Sequence, residues 1–479
     1  MTPAPPSSSR ERDAIDASAR LPVLAFFFSS IFWLLIGSLL GLVSTWKMTC
    51  PALLDGQAWL TFGRVRPAHL NTIAYGWASL AGIGTGIWLM ARLCRVRLQQ
   101  PGLLFIAAVF WNLGLLAGSL GILGGESRSI AWLELPGYSS ILIFAAFALI
   151  GIWVVVMFFG RKPGAVYVSQ WYLLAAFLWF PWMYATANTL LVWQPVPGPA
   201  QPAINWWFAE SLTSQWFVPL GLASAYYMIP KILGRPLYSN SLGLLGFWSL
   251  AVVSGWTGMQ HLIGGPIPSW MGAVSSAAGL LTCVPVAAVA VNLHQTMRGH
   301  FDLLLRSSAL RFTVFGAIAY TVTAMQGVLL AWPAFNSITH FTDFTVGHAH
   351  LGLYGFFSMV MFGAMYFIVP RLTGGEWPSA AMIRWHFRLS VAGIALLFGA
   401  LSLGGLLQGL ALDDPDASFK TSVEFATPFR WICGASGFLL LAANITFAAL
   451  FLKMLFSPLR GQSGTTRPAS AEETDPTNP

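Results

Sequence analysis

Long apolar runs alternate with short polar connections along almost the whole chain. Twelve of these runs are close to the roughly 20 residues that carry a helix across a hydrocarbon core. They fall near 21–46, 67–91, 103–123, 136–159, 168–193, 206–229, 241–263, 269–293, 309–332, 346–369, 385–410 and 430–455. The pattern predicts an all-α integral membrane protein of about twelve transmembrane helices, with one membrane domain over 21–456. The flanking stretches 1–20 and 457–479 are rich in Ser, Thr, Pro and charge and are expected to be disordered, cytoplasmic tails. The first run is too long for the apolar core of a signal peptide and is followed by many more, so it is expected to be retained as a helix.

Composition agrees with that reading. Hydrophobic residues make up 56% and charged residues only 9% of the 479 positions, where a soluble chain of this size carries about a quarter charged. The formal charge of +8 follows membrane topology and does not point to nucleic acid. With the N-terminus inside, nineteen of the Lys and Arg residues fall on inner segments. Six fall outside: Lys47, Arg64, Arg66, Arg128, Lys420 and Arg430. The positive-inside rule then places both termini in the cytoplasm of a bacterial inner membrane, and the lipid bilayer is the first partner. An odd number of spans would scramble this asymmetry. The four cysteines form neither a CxxC pair nor a CxxCH haem-attachment motif.

Polar side chains inside the spans carry the candidate chemistry. His348-Ala349-His350 lies at the head of the tenth run, where an unpaired imidazole is costly. Two residues apart on a helix means about 200° of rotation, so each imidazole needs its own partner on opposite faces. Neutral imidazole is a common metal and haem-iron ligand, and two haems flanking one helix would account for both. The span holding His69 also enters from the outer side, which puts His69 and His350 at similar depth, the arrangement for one bis-histidine haem. Glu210 follows Trp206-Trp207 one turn into an inward-running span. Gln260 and His261 end an outward-running one. Glu210, Gln260, His261 and His348 could therefore surround one cavity. The alternative for these residues is an interfacial carboxylate with a Gln–His pair capping carbonyls. His294 and His300 read as part of a basic inner loop. His386, between Arg384 and Arg388, reads as interfacial, and His340 lies in an outer loop. Most of the 22 tryptophans fit aromatic belts.

In this order, the residues resemble subunit I of cbb3-type cytochrome c oxidase, within the haem–copper oxidase superfamily. The resemblance rests on several stretches: Arg64-Val65-Arg66-Pro67-Ala68-His69; Lys162-Pro163 with Tyr167-Val168-Ser169-Gln170-Trp171; Trp206-Trp207; Tyr226-Tyr227-Met228-Ile229-Pro230-Lys231; and Phe341 to His350. It implies that His69 and His350 are the axial ligands of a low-spin haem b and that His348 is the proximal ligand of a high-spin haem. It also implies that Arg430 neutralises haem propionates and that Glu134 lies near those propionates and a bound calcium.

The second metal centre departs from the family. Where the resemblance implies three copper-binding histidines, this chain has Glu210, Gln260 and His261. Ser254 stands where the family has a tyrosine, and Gln326 where it has a glutamate. A Glu/Gln/His set is harder than three imidazoles and suits non-haem iron better than copper. Nitric oxide reduction needs two electrons per turnover, whereas cleaving dioxygen needs four and loses one source without the tyrosine. The expectation is a haem-dependent respiratory reductase acting on a small gas, with nitric oxide favoured. Its electrons would come from a c-type cytochrome subunit or soluble cytochrome c on the outer side. The alternatives are a cytochrome c oxidase reducing oxygen to water, or a non-catalytic haem electron-transfer or sensor protein.

Overall fold

The computed structural model describes residues 9–456, and helix is the regular secondary structure throughout them. The twelve apolar runs become twelve rods. These are α1 Ser9–Thr49, α2 Phe62–Cys94, α3 Pro101–Gly124, α4 Gly137–Phe159, α5 168–193 and α6 200–233, then α7 Asn240–Val253, α8 Ser269–Met297, α9 Ser308–Ala331, α10 Asp343–Thr373, α11 Ala380–Asp413 and α12 Phe419–Phe456. Ten are long and apolar enough to cross a membrane on those criteria alone, α7 counting with the 3₁₀ turns that prolong it to Leu262. The other two, α5 and α6, are of spanning length but carry more Trp, Tyr and polar residues.

Helix ends follow local chemistry. Ser239, Ser307 and Ser379 cap α7, α9 and α11, their hydroxyls accepting from Leu242, Leu310 and Met382 N–H at 3.2 Å. Each satisfies one of the donors that a helix start leaves free. Two rods stop on a left-handed glycine. Gly234 after α6 and Gly374 after α10 take left-handed φ of 65° and 71°, and their N–H groups close onto the carbonyls of Pro230 and Pro370.

The spans bearing the histidines lie at the centre. In α2, 94% of the most apolar window is buried inside the protein, and in α10 83%, against 39–44% in the other eight. The α2 window also has the lowest hydropathy of the ten. It can be the least apolar because it meets protein rather than lipid, and the hydroxyls of Thr72 and Ser79 bond to carbonyls of its own helix. Trp77 and Trp88 of α2 are fully buried and donate to Ser358 of α10 and Asp16 of α1.

Two expectations need correction. Helix α1 begins at Ser9, so residues 9–20, expected as tail, are helical. Asp16 anchors them by pairing with Arg92 at 3.2 Å and accepting from Trp88 Nε1 at 2.9 Å. The remaining tail segments, 1–8 and 457–479, lie outside the described residues. His386 is not interfacial but fully buried, its Nδ1 2.8 Å from the Tyr366 hydroxyl among Phe312, Phe362 and Phe447. Arg384 and Arg388 are each two residues away, about 200° around the helix, and so point to the opposite face.

Helix α11 also sets the height of the segment that carries His348 and His350. A Cβ on Gly405 would collide with the backbone of Asp343 and Phe344, and one on Gly347 would sit 3.0 Å from Leu401 Cβ. Overpacking of this kind costs about 1–3 kcal/mol. Gly405→Val is therefore expected to lower the thermal midpoint of the purified protein. Gly399→Val on the same helix, where a Cβ meets nothing within 4 Å, should leave it near the parent value. Equal midpoints for the two variants would show that this contact does not hold α10.

Candidate functional site

The candidate ligands come from three rods and one broken segment, and three of the four share a local irregularity. In α2 the winding widens to π-helix over Thr72–Ala78, just after His69. In α6 it does so over Leu212–Phe217, just after Glu210, and in α10 over Leu351–Ser358, immediately after His350. Such segments recur at functional sites because the extra residue per turn re-aims neighbouring side chains. The fourth element is the stretch after α7, where the helix gives way at Val253 to 3₁₀ turns Ser254–Trp256 and Met259–Leu262. Gly258 there has φ 113°, and a Cβ on it would lie 2.6 Å from the Trp206 carbonyl. Only glycine lets this turn lie against α6.

His69 and His350 face each other. Their rings are nearly parallel, 16° apart, with centroids separated by 6.5 Å. A ring nitrogen lies about 1 Å from its ring centre, and a metal–nitrogen bond is about 2 Å. Two imidazoles on one metal from opposite sides thus have centres about 6 Å apart, so the slot fits a planar haem held from both faces. Hydrogen bonds fix the ring tautomers. His69 Nδ1 lies 2.7 Å from the Gly37 carbonyl of α1, and His350 Nδ1 lies 2.8 Å from the Val346 carbonyl. Each Nδ1–H is used as a donor, which leaves each Nε2 lone pair available, the usual outer support of a metal-ligating histidine. Helix α1 approaches closely enough that a Cβ on Gly41 would sit 2.6 Å from the His69 ring.

His348 points the other way, as two-residue spacing requires. Its Nδ1 lies 3.2 Å from Gln326 Oε1 on α9. Glu210 lies within electrostatic range of both His348 and His261. Glu210 Oε2 is 3.4 Å from His261 Nε2, and the His261 ring stacks on Trp206 with centroids 4.5 Å apart. Gln260 is adjacent but engaged elsewhere: its amide oxygen accepts from Gly258 N at 2.6 Å and from the Ser275 hydroxyl. Among the described residues no three His, Cys, Asp or Glu side chains form a ready metal cage; Glu210 and His261 make a pair of donors within electrostatic range of His348. Ser254 accepts from Gln215 Nε2 at 3.0 Å.

Charged groups gather near the His69–His350 slot. Arg66 is within electrostatic range of both imidazoles and of Glu134. Arg430 Nε donates to Asp343 Oδ2 at 3.2 Å, and Asp343 N donates to Gln408 Oε1 at 2.9 Å. Glu134 is 5% exposed and accepts from Asn71 Nδ2 at 2.9 Å, two residues beyond His69. Sequence reasoning missed the partners of the candidate residues. Gly37, Gly41, Asn71, Ser275 and Asp343 are ordinary residue types at ordinary spacings, and only the acidic Asp343 at the head of a span carried a hint.

Comparison with known proteins gives the family. The family described as "Cytochrome C and Quinol oxidase polypeptide I" matches residues 22–439. A "Cytochrome c oxidase subunit 1 homolog, bacteroid" of Bradyrhizobium diazoefficiens is 28% identical, covering 89% of this chain and 80% of its own. A cbb3-type cytochrome c oxidase subunit of Stutzerimonas stutzeri is 28% identical over 88% of this chain and 93% of its own. A nitric oxide reductase subunit of the same organism is 24% identical over 82% and 86%. The fold superposes on a heme-copper terminal oxidase solved by cryo-electron microscopy with TM-score 0.72 and 15% identity, covering 94% of this chain and 85% of that one. With its twelve-rod fold and paired histidines, the chain belongs to the haem–copper oxidase subunit I family of membrane oxidoreductases.

Proposed function

We propose that this chain is the catalytic subunit of a respiratory reductase that acts on nitric oxide in preference to oxygen. The observation carrying this reading is the Glu210–His261 pair on the His348 side, a carboxylate where a copper site would place imidazole. In this reading His69 and His350 hold a low-spin haem b, and His348 holds the high-spin haem. Glu210 and His261 hold the second metal, non-haem iron rather than copper, because a carboxylate is the harder donor. Those groups supply gas binding and electron delivery. Two nitric oxide molecules take two electrons and two protons to give nitrous oxide and one water, whereas dioxygen takes four of each to give two waters.

The side chains have separate tasks. Gln326 orients His348 through Nδ1, and Trp206 holds the His261 ring flat against α6. Glu210 is placed to accept and release a proton beside His261. Arg66 and Arg430 supply positive charge for haem propionates, and Glu134 with Asn71 is the candidate calcium position. Electrons would enter from the outer side through a c-type cytochrome subunit or soluble cytochrome c, since the chain has no covalent haem motif of its own. The engaged amide of Gln260 favours one second reading, a haem protein with no second metal that transfers electrons or senses gas.

His69→Ala and His350→Ala should each abolish the low-spin optical bands. His348→Ala should remove carbon monoxide binding and spare those bands. Normal low-spin spectra in both of the first two variants would show that the pairing is wrong.

Metal analysis and gas consumption test the substrate. The parent should contain non-haem iron, Glu210→Ala should contain less, and anaerobic nitric oxide consumption should exceed oxygen consumption. Glu210→Gln with full iron and slowed turnover would make Glu210 a proton carrier rather than a ligand. Copper at full occupancy with fast oxygen reduction would restore the oxidase reading. Two haems with neither metal would favour the non-catalytic one.

A further inference from the structure

A single file of hydrogen bonds crosses the membrane interior between α11, α10, α12 and α1. The Ser390 hydroxyl lies 3.2 Å from the Tyr354 hydroxyl, which donates to Asn444 Oδ1 at 3.0 Å. Asn444 Nδ2 donates to Ser38 Oγ at 2.8 Å, and Ser38 Oγ donates to the Leu34 carbonyl at 2.6 Å. The two ends of the Asn444 amide differ, so the direction is set: each group donates toward α1. Ser390 is 0% and Asn444 2% exposed. Apolar side chains there would need no partners, whereas each of these would be costly if unpaired.

Two members of the file, Tyr354 and Ser38, are close along the chain to groups at the two imidazoles. Tyr354 follows His350 by four residues, within the π-helical segment Leu351–Ser358. Ser38 adjoins Gly37, whose carbonyl accepts from His69 Nδ1 at 2.7 Å. Glycines give α1 no cushion against α2. A Cβ on Gly37 would lie 2.7 Å from Ile73 and one on Gly41 2.6 Å from the His69 ring. Any shift of α1 is therefore felt directly at His69, and the lateral place of α1 against α12 is pinned by Asn444 and Ser38.

We infer that Tyr354, Asn444 and Ser38 are positioning residues that brace the slot between His69 and His350, tying the helix that orients one imidazole to the helix that carries the other. The inference rests on the reading that these two histidines ligate one low-spin haem. The brace acts through the Gly37 carbonyl. Moving it changes the strength of the His69 Nδ1–H bond, hence the basicity of the ligand, and changes the 16° angle between the rings.

The test compares the purified full-length protein with Tyr354→Phe and Asn444→Leu, and with Thr446→Val as a control. Thr446 is a partly exposed residue on α12 whose hydroxyl donates to the Ala442 carbonyl of its own helix. Ferric low-spin electron paramagnetic resonance and a redox titration of the low-spin band are recorded for each. Tyr354→Phe and Asn444→Leu should move the low-spin g-values. At the potential where the parent is half reduced, each should change the reduced-to-oxidised ratio by at least about threefold. The control should match the parent, and carbon monoxide binding should persist in all. Unchanged g-values and ratio in Tyr354→Phe, even with a lowered thermal midpoint, would reduce the file to a structural staple and overturn the inference. If Asn444→Leu fails to assemble, Tyr354→Phe decides, since it removes one oxygen and keeps the ring. A parent with no bis-histidine low-spin signal would overturn the haem reading itself, a result visible before any variant is made.

Discussion

Hydrocarbon offers no hydrogen bonds, so every polar side chain that enters a membrane must meet a partner already in place. That demand explains why α2 and α10, which carry His69, His348 and His350, are the most enclosed of the ten apolar spans. Surrounded by other helices, they can hold Asn71, Thr72, Ser79 and three imidazoles, each with a named acceptor or donor. The peripheral rods, facing lipid, carry the apolar surface instead. Burial of these two spans is the condition for the chemistry as well as for the fold, because an imidazole exposed to lipid would have no hydrogen-bond partner to orient it toward a metal.

Close approach of backbones does the rest. Glycines at 37 and 41 bring α1 onto the His69 ring, and those at 347 and 405 bring α10 and α11 together around the start of the His348–His350 segment. The π-helical turns following His69, Glu210 and His350 re-aim the side chains near them. The result is a slot of the width that two axial imidazoles require, with His348 directed to the opposite face of the same helix. Under the proposed function, two faces of one short segment would serve two different groups. This places them close together without letting either imidazole reach the other's site.

The His348 side of α10 carries a polar set of its own. A carboxylate at 210, an amide at 260 whose oxygen is held by Gly258 and Ser275, and a serine at 254 bonded to Gln215 form a polar set quite unlike three imidazoles and a tyrosine. Under the proposed function, electron entry and gas chemistry would rest on separate sets of side chains, joined through α10.

Much of this was legible in the sequence. Twelve apolar runs and the matching depth of His69 and His350 follow from the thickness of a bilayer and the cost of placing polar groups in it. These are one-dimensional constraints that a chain must record in order along its length. The opposed directions of His348 and His350 follow equally from helix geometry. Partnership was not legible. That Gly37 would accept from His69, that Ser275 would occupy Gln260, that His386 would turn inward to Tyr366, and that residues 9–20 would continue α1 through Asp16 and Arg92 all depend on which helix faces which. The apolar pattern decides that a segment enters the membrane. It does not decide which side of it meets protein, because lipid and helix interior accept the same apolar side chains. Only the packed arrangement of the rods settles the neighbours, and so the hydrogen bonds that orient each candidate ligand.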